Sequence, residues 1–512
     1  MEIVYTSILF PDSITAHDEG RVPDCFHDLF LDQVVDAIVV GRPLESLKSF
    51  FYTELSSLSS IHYRHAIFRD MTKVSVKSAM THFVDRMRKV YEKLDQSKTS
   101  YYPRSKQAWL LEAVHTYCRA VEMLAQEIAS ADVAAQGFLD FARYVMDYVA
   151  SERFRLMART TKKLRGEVTA LRYRLYIQGL SVTVGRYANE SDYREEVEET
   201  FSRFRHGTPK DYRVRFSDSS KMDHVQERII GLVARLNPEL FQRVDSYCAE
   251  YGLAFLDEGL AQFDREIQFY LTYCQFMRRF EAQGLKFCFP KIEESVKEIE
   301  GQAAFDLALA AKLELENRTP IPNDFQLRDS ECILVVSGPN QGGKTTYARM
   351  IGQIQYLAHL GVPVPGQHAR LFLGDGIFTY FDREESSDDA RGKLQDDLLR
   401  IRDILDRATS RSLIILNEIF SSTMLDDARR LGRTIINEII AKESVAIIVT
   451  FIDEWATLNS RTVSWVSRVD GHDSMKRTYK IVRQKPDGQA YARSIAEKYA
   501  VTYEAIKERM QR

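Results

Sequence analysis

Six cysteines in 512 residues (Cys25, Cys118, Cys248, Cys274, Cys288 and Cys332) stand far apart, and no two form a C-x-x-C pair. That scatter argues against a zinc site and against a disulfide framework, and it fits a reducing compartment. No stretch approaches the roughly 18 uninterrupted apolar residues of a membrane span. The N-terminus, MEIVYTSILFPDSITAHDEG, lacks a basic region followed by an apolar core. Secretion and membrane insertion are therefore not expected, and a cytoplasmic location is. The chain also lacks internal repeats, low-complexity segments and any strong overall charge, its formal net charge being -3.

A 45% apolar fraction over 512 residues is ample for more than one hydrophobic core, so two or more domains are expected. The mild net charge hides a local excess. Between Arg153 and Arg215 fifteen Lys/Arg face eight Asp/Glu, a window of +7 that leaves -10 for everything else.

From Ser105 to about Leu175 apolar residues recur at three and four spacing (Leu110, Val114, Tyr117, Val121, Leu124), which predicts one or two long helices. Alternating segments between Tyr176 and Phe216, such as Leu180 to Val184 and Tyr212 to Phe216, predict a small strand-bearing insert. Helical periodicity returns from Met222 to about Gly284. After Phe289-Pro290 and the Arg318-Thr-Pro-Ile-Pro322 run, strands alternate with helices as in an α/β domain. Strands are expected at Cys332 to Val336, Leu371 to Leu373, Leu413 to Leu416 and Val445 to Thr450. The boundary is placed near 290, with a helical domain over 1–290 carrying the insert at about 176–216, and an α/β domain over 291–512.

The apolar run ending at Val336 leads into Gly338-Pro339-Asn340-Gln341-Gly342-Gly343-Lys344-Thr345, followed by Thr346 and a helix expected to run to Leu360. This is the strand-loop-helix context of a Walker A phosphate-binding loop. Glycines let successive N–H groups turn toward phosphate oxygens, Lys344 supplies charge to the β/γ-phosphates, Thr345 a hydroxyl for Mg²⁺, and the helix N-terminus adds its dipole. Residues 338–346 are thus the expected ATP site. The plain alternative is a glycine turn. Leu413-Ile-Ile-Leu416 then delivers Asn417 and Glu418 in the form of a Walker B strand. Glu418 is the expected general base, with Thr345, Asn417 and Glu418 as metal-site residues. The bland reading is a buried strand capped by a solvated Asn-Glu turn.

Taken with Asp375 to Thr379 and with Thr423 five residues after Glu418, these motifs resemble the MutS ATPases in order and spacing. The resemblance is clear from Ser337 to Asp470, and a weaker one reaches back to Leu29 to Ile38. It implies an all-α core and lever region with a reduced, β-containing clamp, then an α/β P-loop ATPase of the ABC-like class. It also implies a DNA-binding ATPase acting in repair or recombination. The dimer would be held by C-terminal helices at about Gln489 to Tyr499 and Thr502 to Met510. The clamp's DNA contacts would come from Arg172, Arg174, Arg203, Arg205, Lys210, Arg213 and Arg215. The plain reading of the basic region is a solvated helix face, and the run Glu195 to Glu199 would repel phosphate unless it faces away.

The departures from the family pattern are specific. Asn417 replaces the usual Walker B aspartate, and a neutral amide attracts Mg²⁺ less than a carboxylate does, so slow hydrolysis is expected. Phe451 stands where the family often has histidine, leaving Asp453 or Glu454 to substitute through water. No serine occupies the expected trans-acting position in Arg391 to Asp396, although Ser386 and Ser387 lie just before it and Lys393 within it. None of the 28 phenylalanines is followed two residues later by glutamate, and the segment before the core is short, so intercalative mismatch sensing is not expected. Two other readings stay open: a non-catalytic nucleotide-gated scaffold, and an ABC-type ATPase acting on a protein partner. His224 and His368 are read as structural or solvated, and Tyr347 and Arg349 as packing or surface residues.

Overall fold

The computed structural model describes residues 5–11, 21–40, 45–179, 181–188, 224–252, 254–328, 330–382, 393–421, 423–469 and 477–486, with 503, 506, 507 and 509 beyond. Two compact units emerge, one made of residues 1–6, 73–133 and 138–264, the other of 7–72, 134–137 and 265–512.

The first unit is built on helices. Val74–Thr99 and Pro103–Ser130 form a long antiparallel hairpin, Pro103 opening the second helix where its missing N–H costs nothing. Val114, Tyr117, Val121 and Leu124 are fully buried, as the spacing predicts, and so are Phe83 and Met87 on the first helix. The expected one or two helices between Ser105 and Leu175 are in fact three: Pro103–Ser130, Gln136–Ala150 and Glu152–Thr169. The last begins where the Ser151 side chain accepts from Phe154 N at 3.2 Å, a capping interaction that stops the preceding helix from continuing. The stretch after Met222 divides likewise into His224–Leu236, Pro238–Tyr251 and Glu258–Glu281, interrupted at Pro238 and at Gly252, whose φ is 28°. An antiparallel hairpin, Tyr173–Gln178 with Ser181–Arg186, turns at Gly179 with φ 59°. The expected strand at Tyr212 to Phe216 lies outside the described residues.

The second unit holds a six-stranded sheet in the spatial order Gly376–Tyr380, Ser412–Asn417, Val445–Val449, Ile333–Ser337, Thr462–Val469, Arg477–Arg483. The first five run parallel and the last is antiparallel. Ile333–Ser337, Ser412–Asn417 and Val445–Val449 are buried at every position, the condition of central parallel strands covered on both faces. Their continuous apolar runs made them legible in sequence. Gly376–Tyr380, Thr462–Val469 and Arg477–Arg483 carry mixed or exposed residues and were not expected as strands. Because the chain leaves central Ile333–Ser337 for the far edge, the strand order reverses beside it. Crevices at the carboxyl ends of such strands are where ligands bind. A four-stranded sheet, in which His368–Phe372 lies between Lys291–Glu293 and Ile299–Ala304, packs in the same unit.

The helix Lys344–His359 is buried along nearly its whole length. Its far end is fastened by polar contacts. Gln353 Nε2 donates to Leu29 O at 2.9 Å, Tyr356 Oη to Phe51 O at 2.7 Å, and Arg64 Nη1 to Leu360 O at 2.7 Å. Gly361, with φ 65°, ends it as expected.

Candidate functional site

At the carboxyl end of Ile333–Ser337 the backbone takes left-handed conformations at Gly338 (φ 119°), Gln341 (φ 60°) and Gly343 (φ 89°). Gly343 is the N-cap of the helix. A Cβ on Gly342 would lie 2.4 Å from Ser467 Oγ, which donates to Gly342 O at 2.8 Å, so the loop is pressed against the strand Thr462–Val469. Gln341 was expected only as a loop member, yet it carries a conformation that costs a non-glycine residue of order 1 kcal/mol or more.

Lys344 is 4% exposed, and its Nζ donates to Gly338 O at 3.1 Å, Pro339 O at 3.3 Å and Asn340 Oδ1 at 3.3 Å. Glu418 Oε1 lies 3.6 Å from the same nitrogen. Burial holds the ammonium's pKa below the ordinary lysine value, while Glu418 opposes the shift. Arg477 adds to the lowering and Asp453 to the raising, so both charges act at this loop. Thr345 Oγ1 donates to Asn417 Oδ1 at 2.9 Å, joining the two motifs across 72 residues of sequence. Glu418 follows in a left-handed conformation (φ 53°), its N–H held by Val449 O at 2.9 Å. That turn carries the Glu418 carboxylate away from its strand and toward the loop.

A cavity of about 530 Å³ opens beside this cluster, walled by Gln341, Gly342, Gly343, Lys344, Thr345, Thr346 and Glu418. Gly338, Pro339 and Asn340 contribute acceptors to Lys344 instead. The opposite wall comes from Leu309, Leu313, Pro320, Ile321, Asn323, Met350 and Tyr479, which the motif search did not reach. Only the Arg318 to Pro322 run gave a signal there, read as a boundary. Asn323 explains how the wall is held. Its Nδ2 donates to Tyr479 O at 3.0 Å and its Oδ1 accepts from Ile481 N at 2.9 Å, fixing Tyr479 at φ 56°.

Other expected residues fall as follows. Phe451 is 49% exposed. Of its two acidic neighbours, Glu454 is held by Arg429 at 2.7 Å, whereas Asp453 is felt by Lys344. Tyr347 and Arg349 are packing residues: Tyr347 Oη donates to Asp324 O at 2.7 Å, and Arg349 pairs with buried Asp306 at 2.6 Å and lies over the Phe30 ring. Arg349 is only 9% exposed, so it is not the surface residue the sequence suggested as one option. Arg172 precedes the exposed hairpin and Arg174 lies on its first strand, where Tyr176 and Ile177 are 62% and 68% exposed. Arg203, Arg205, Lys210, Arg213 and Arg215 lie outside the described residues, as do Ser386, Ser387 and the C-terminal helices apart from Tyr503, Ile506, Lys507 and Arg509. Among the described residues no helix is long and apolar enough to cross a membrane.

A family model described as MutS domain V matches residues 334–511. The DNA mismatch repair protein MutS of Aquifex pyrophilus is 36% identical over 122 residues, 24% of this chain and 14% of that protein. Endonuclease MutS2 of Thermus thermophilus is 26% identical over 189 residues, 36% of this chain and 25% of its own length. The DNA mismatch repair protein Msh3 of Mus musculus is 33% identical over 107 residues, 21% of this chain and 10% of that protein. The chain therefore spans a quarter or less of the curated relatives it matches. The likeness to the MutS family thus lies in the C-terminal region, where the family's domain V matches residues 334–511.

Proposed function

We propose that this chain is a DNA-engaging ATPase in which ATP binding and hydrolysis drive clamping on DNA during repair or recombination. One observation carries the reading: a buried lysine, a glycine loop, a threonine hydroxyl and the Glu418 carboxylate converge at the carboxyl edge of one sheet, beside a cavity of about 530 Å³. The loop amides of 338–346 and the helix N-terminus receive the triphosphate, and Lys344 leaves its loop carbonyls for the β/γ-phosphates. Leu309, Leu313 and Met350 offer an apolar wall to the base. Glu418 orients the attacking water. Oxygens of Thr345, Asn417 and Glu418 suit a hard cation such as Mg²⁺, which when bound would neutralise developing phosphate charge.

The helical part before about residue 290 acts as lever and the part after it as motor, in a homodimer. Arg172, Arg174, Arg203, Arg205, Lys210, Arg213 and Arg215 supply sequence-independent phosphate contacts. Steady-state phosphate release tests the catalytic half. Glu418→Gln and Lys344→Ala are each expected to lower turnover by about a hundredfold or more. Wild-type turnover no higher than that of Glu418→Gln would reject the enzyme and leave the second reading, a nucleotide-gated scaffold. That reading is favoured by neutral Asn417 and by the exposed Phe451.

A further inference from the structure

We infer that Ser467 is a positioning residue for the glycine loop: its hydroxyl holds the Gly342–Gly343 peptide with the carbonyl turned away from the cavity, and so aims the Gly343 N–H at the triphosphate. The inference rests on the ATP reading above and names the residue that sets the loop's orientation.

Ser467 comes from a strand that the loop motif does not reach. Thr462–Val469 runs beside Ile333–Ser337, and their last ladder pair is Val466 with Ser337. Ser467 is the next residue, so it meets the chain where the strand gives way to the loop. The contact is close at both ends of the loop. A Cβ on Gly338 would lie 3.1 Å from the Ser467 backbone, and one on Gly342 would lie 2.4 Å from Ser467 Oγ. Ser467 is fully buried and is no part of the cavity wall, so a group that points at it points away from the cavity. Gly342 O is such a group, accepting from Ser467 Oγ at 2.8 Å.

Among the described residues no peptide bond is cis. In a trans peptide the C=O and the N–H that follows point in opposite directions, so the Gly343 N–H faces the side on which the cavity opens. Gly342 N–H is taken by Pro339 O at 3.2 Å, whereas no backbone acceptor among the described residues takes the Gly343 N–H. Gly343 lines the cavity and caps the helix Lys344–His359, where a donor left over suits an anion. No local preference fixes this orientation. A glycine stands on each side of the peptide, and Gly343, at φ 89°, would adopt the opposite sign as readily. A flip of the peptide would present the Gly342 oxygen to the phosphates, replacing a donor by an acceptor. The Ser467 hydroxyl opposes the flip, because turning the carbonyl away would leave a buried donor without its acceptor.

The test is titration of the full chain, as wild type, Ser467→Ala and Ser467→Thr, with a non-hydrolysable ATP analogue. Ser467→Ala is expected to bind the analogue about fivefold or more weakly than wild type. Ser467→Thr, which restores the hydroxyl, is expected to bind more tightly than Ser467→Ala. A smaller loss in Ser467→Ala, or a Ser467→Thr protein no tighter than Ser467→Ala, overturns the role given to the hydroxyl and leaves ATP binding standing. A structure of the wild-type protein with the analogue bound decides the matter even where the variants fail to fold. Gly343 N is expected within hydrogen-bond distance of a phosphate oxygen, with Ser467 Oγ still on Gly342 O. A Gly342 carbonyl facing the phosphates, or a Ser467 hydroxyl that has left it, overturns the proposal. Wild type that does not bind the analogue removes the ATP reading and this inference with it.

Discussion

His65 is 2% exposed, its Nε2 has no hydrogen-bond partner, and its ring meets Phe289 at 5.2 Å between centroids. Burial, with Arg69 and His62 adding to it, pushes the imidazole from about 6.5 down to about 3. The folded state therefore holds this group neutral while the unfolded chain takes up a proton below about 6.5. Its contribution is complete above the unfolded value and is lost as pH falls toward 3. Each pH unit in that window costs up to about 1.4 kcal/mol. Denaturant midpoints at pH 7 and pH 5 check this: the drop should be clearly smaller in His65→Met than in wild type. At the proposed nucleotide site Lys344, Thr345 and Glu418 were legible one by one, because each sits at a fixed offset from a glycine loop or an apolar strand. What spacing could not give was their mutual reach, namely Thr345 on Asn417 and Glu418 turned to within 3.6 Å of Lys344.

Helices and strands in this chain are limited by their neighbours as much as by their own propensities. Gly432 lies within the helix Leu425–Lys442, where alanine would by itself gain about 1 kcal/mol. A Cβ there would come within 2.0 Å of Trp455 Cζ2, and Trp455 is 1% exposed, so the ring has no easy retreat. Overpacking of this kind costs about 1–3 kcal/mol, which outweighs the propensity gain. Gly432→Ala should lower the unfolding free energy, read as a lower denaturant midpoint at unchanged slope. Because Trp455 belongs to the short helix Asp453–Thr457 just after Phe451, the same variant is expected to disturb nucleotide binding modestly. The sequence announced the central strands through unbroken apolar runs. It missed Thr462–Val469, whose Ser464 and Ser467 interrupt the pattern although Ser467 is fully buried and bonded to the phosphate loop.

Across the whole molecule, the far end of the helix Lys344–His359 is bolted to residues that precede it by some three hundred positions. Besides Gln353, Tyr356 and the Arg64 bond to Leu360 O, His359 Nδ1 meets Glu54 Oε2 at 2.7 Å. A helix so held is expected to pass any movement at its Lys344 end to the N-terminal segment 29–64, since packed interfaces shift as units. The proposed DNA engagement belongs to this scale as well. Arg172→Ala and Arg174→Ala together should weaken binding to duplex or branched DNA uniformly across sequences and flatten the salt dependence by about one unit of slope per lost phosphate contact. A salt series by fluorescence anisotropy reads it; unchanged slopes would take the hairpin out of the DNA-contacting surface.

The sequence by itself determined the glycine loop, the strand that feeds it and the acidic turn opposite. Backbone freedom at glycine and apolar burial of a parallel strand are local demands, written in adjacent residues. Tertiary structure alone decided the cavity's second wall, where Leu309, Asn323, Met350 and Tyr479 come from four separate stretches, and the joining of Asn417 to Thr345. No local propensity encodes such meetings. They follow from the reversal of strand order beside Ile333–Ser337, which brings chain segments remote in sequence to one sheet edge.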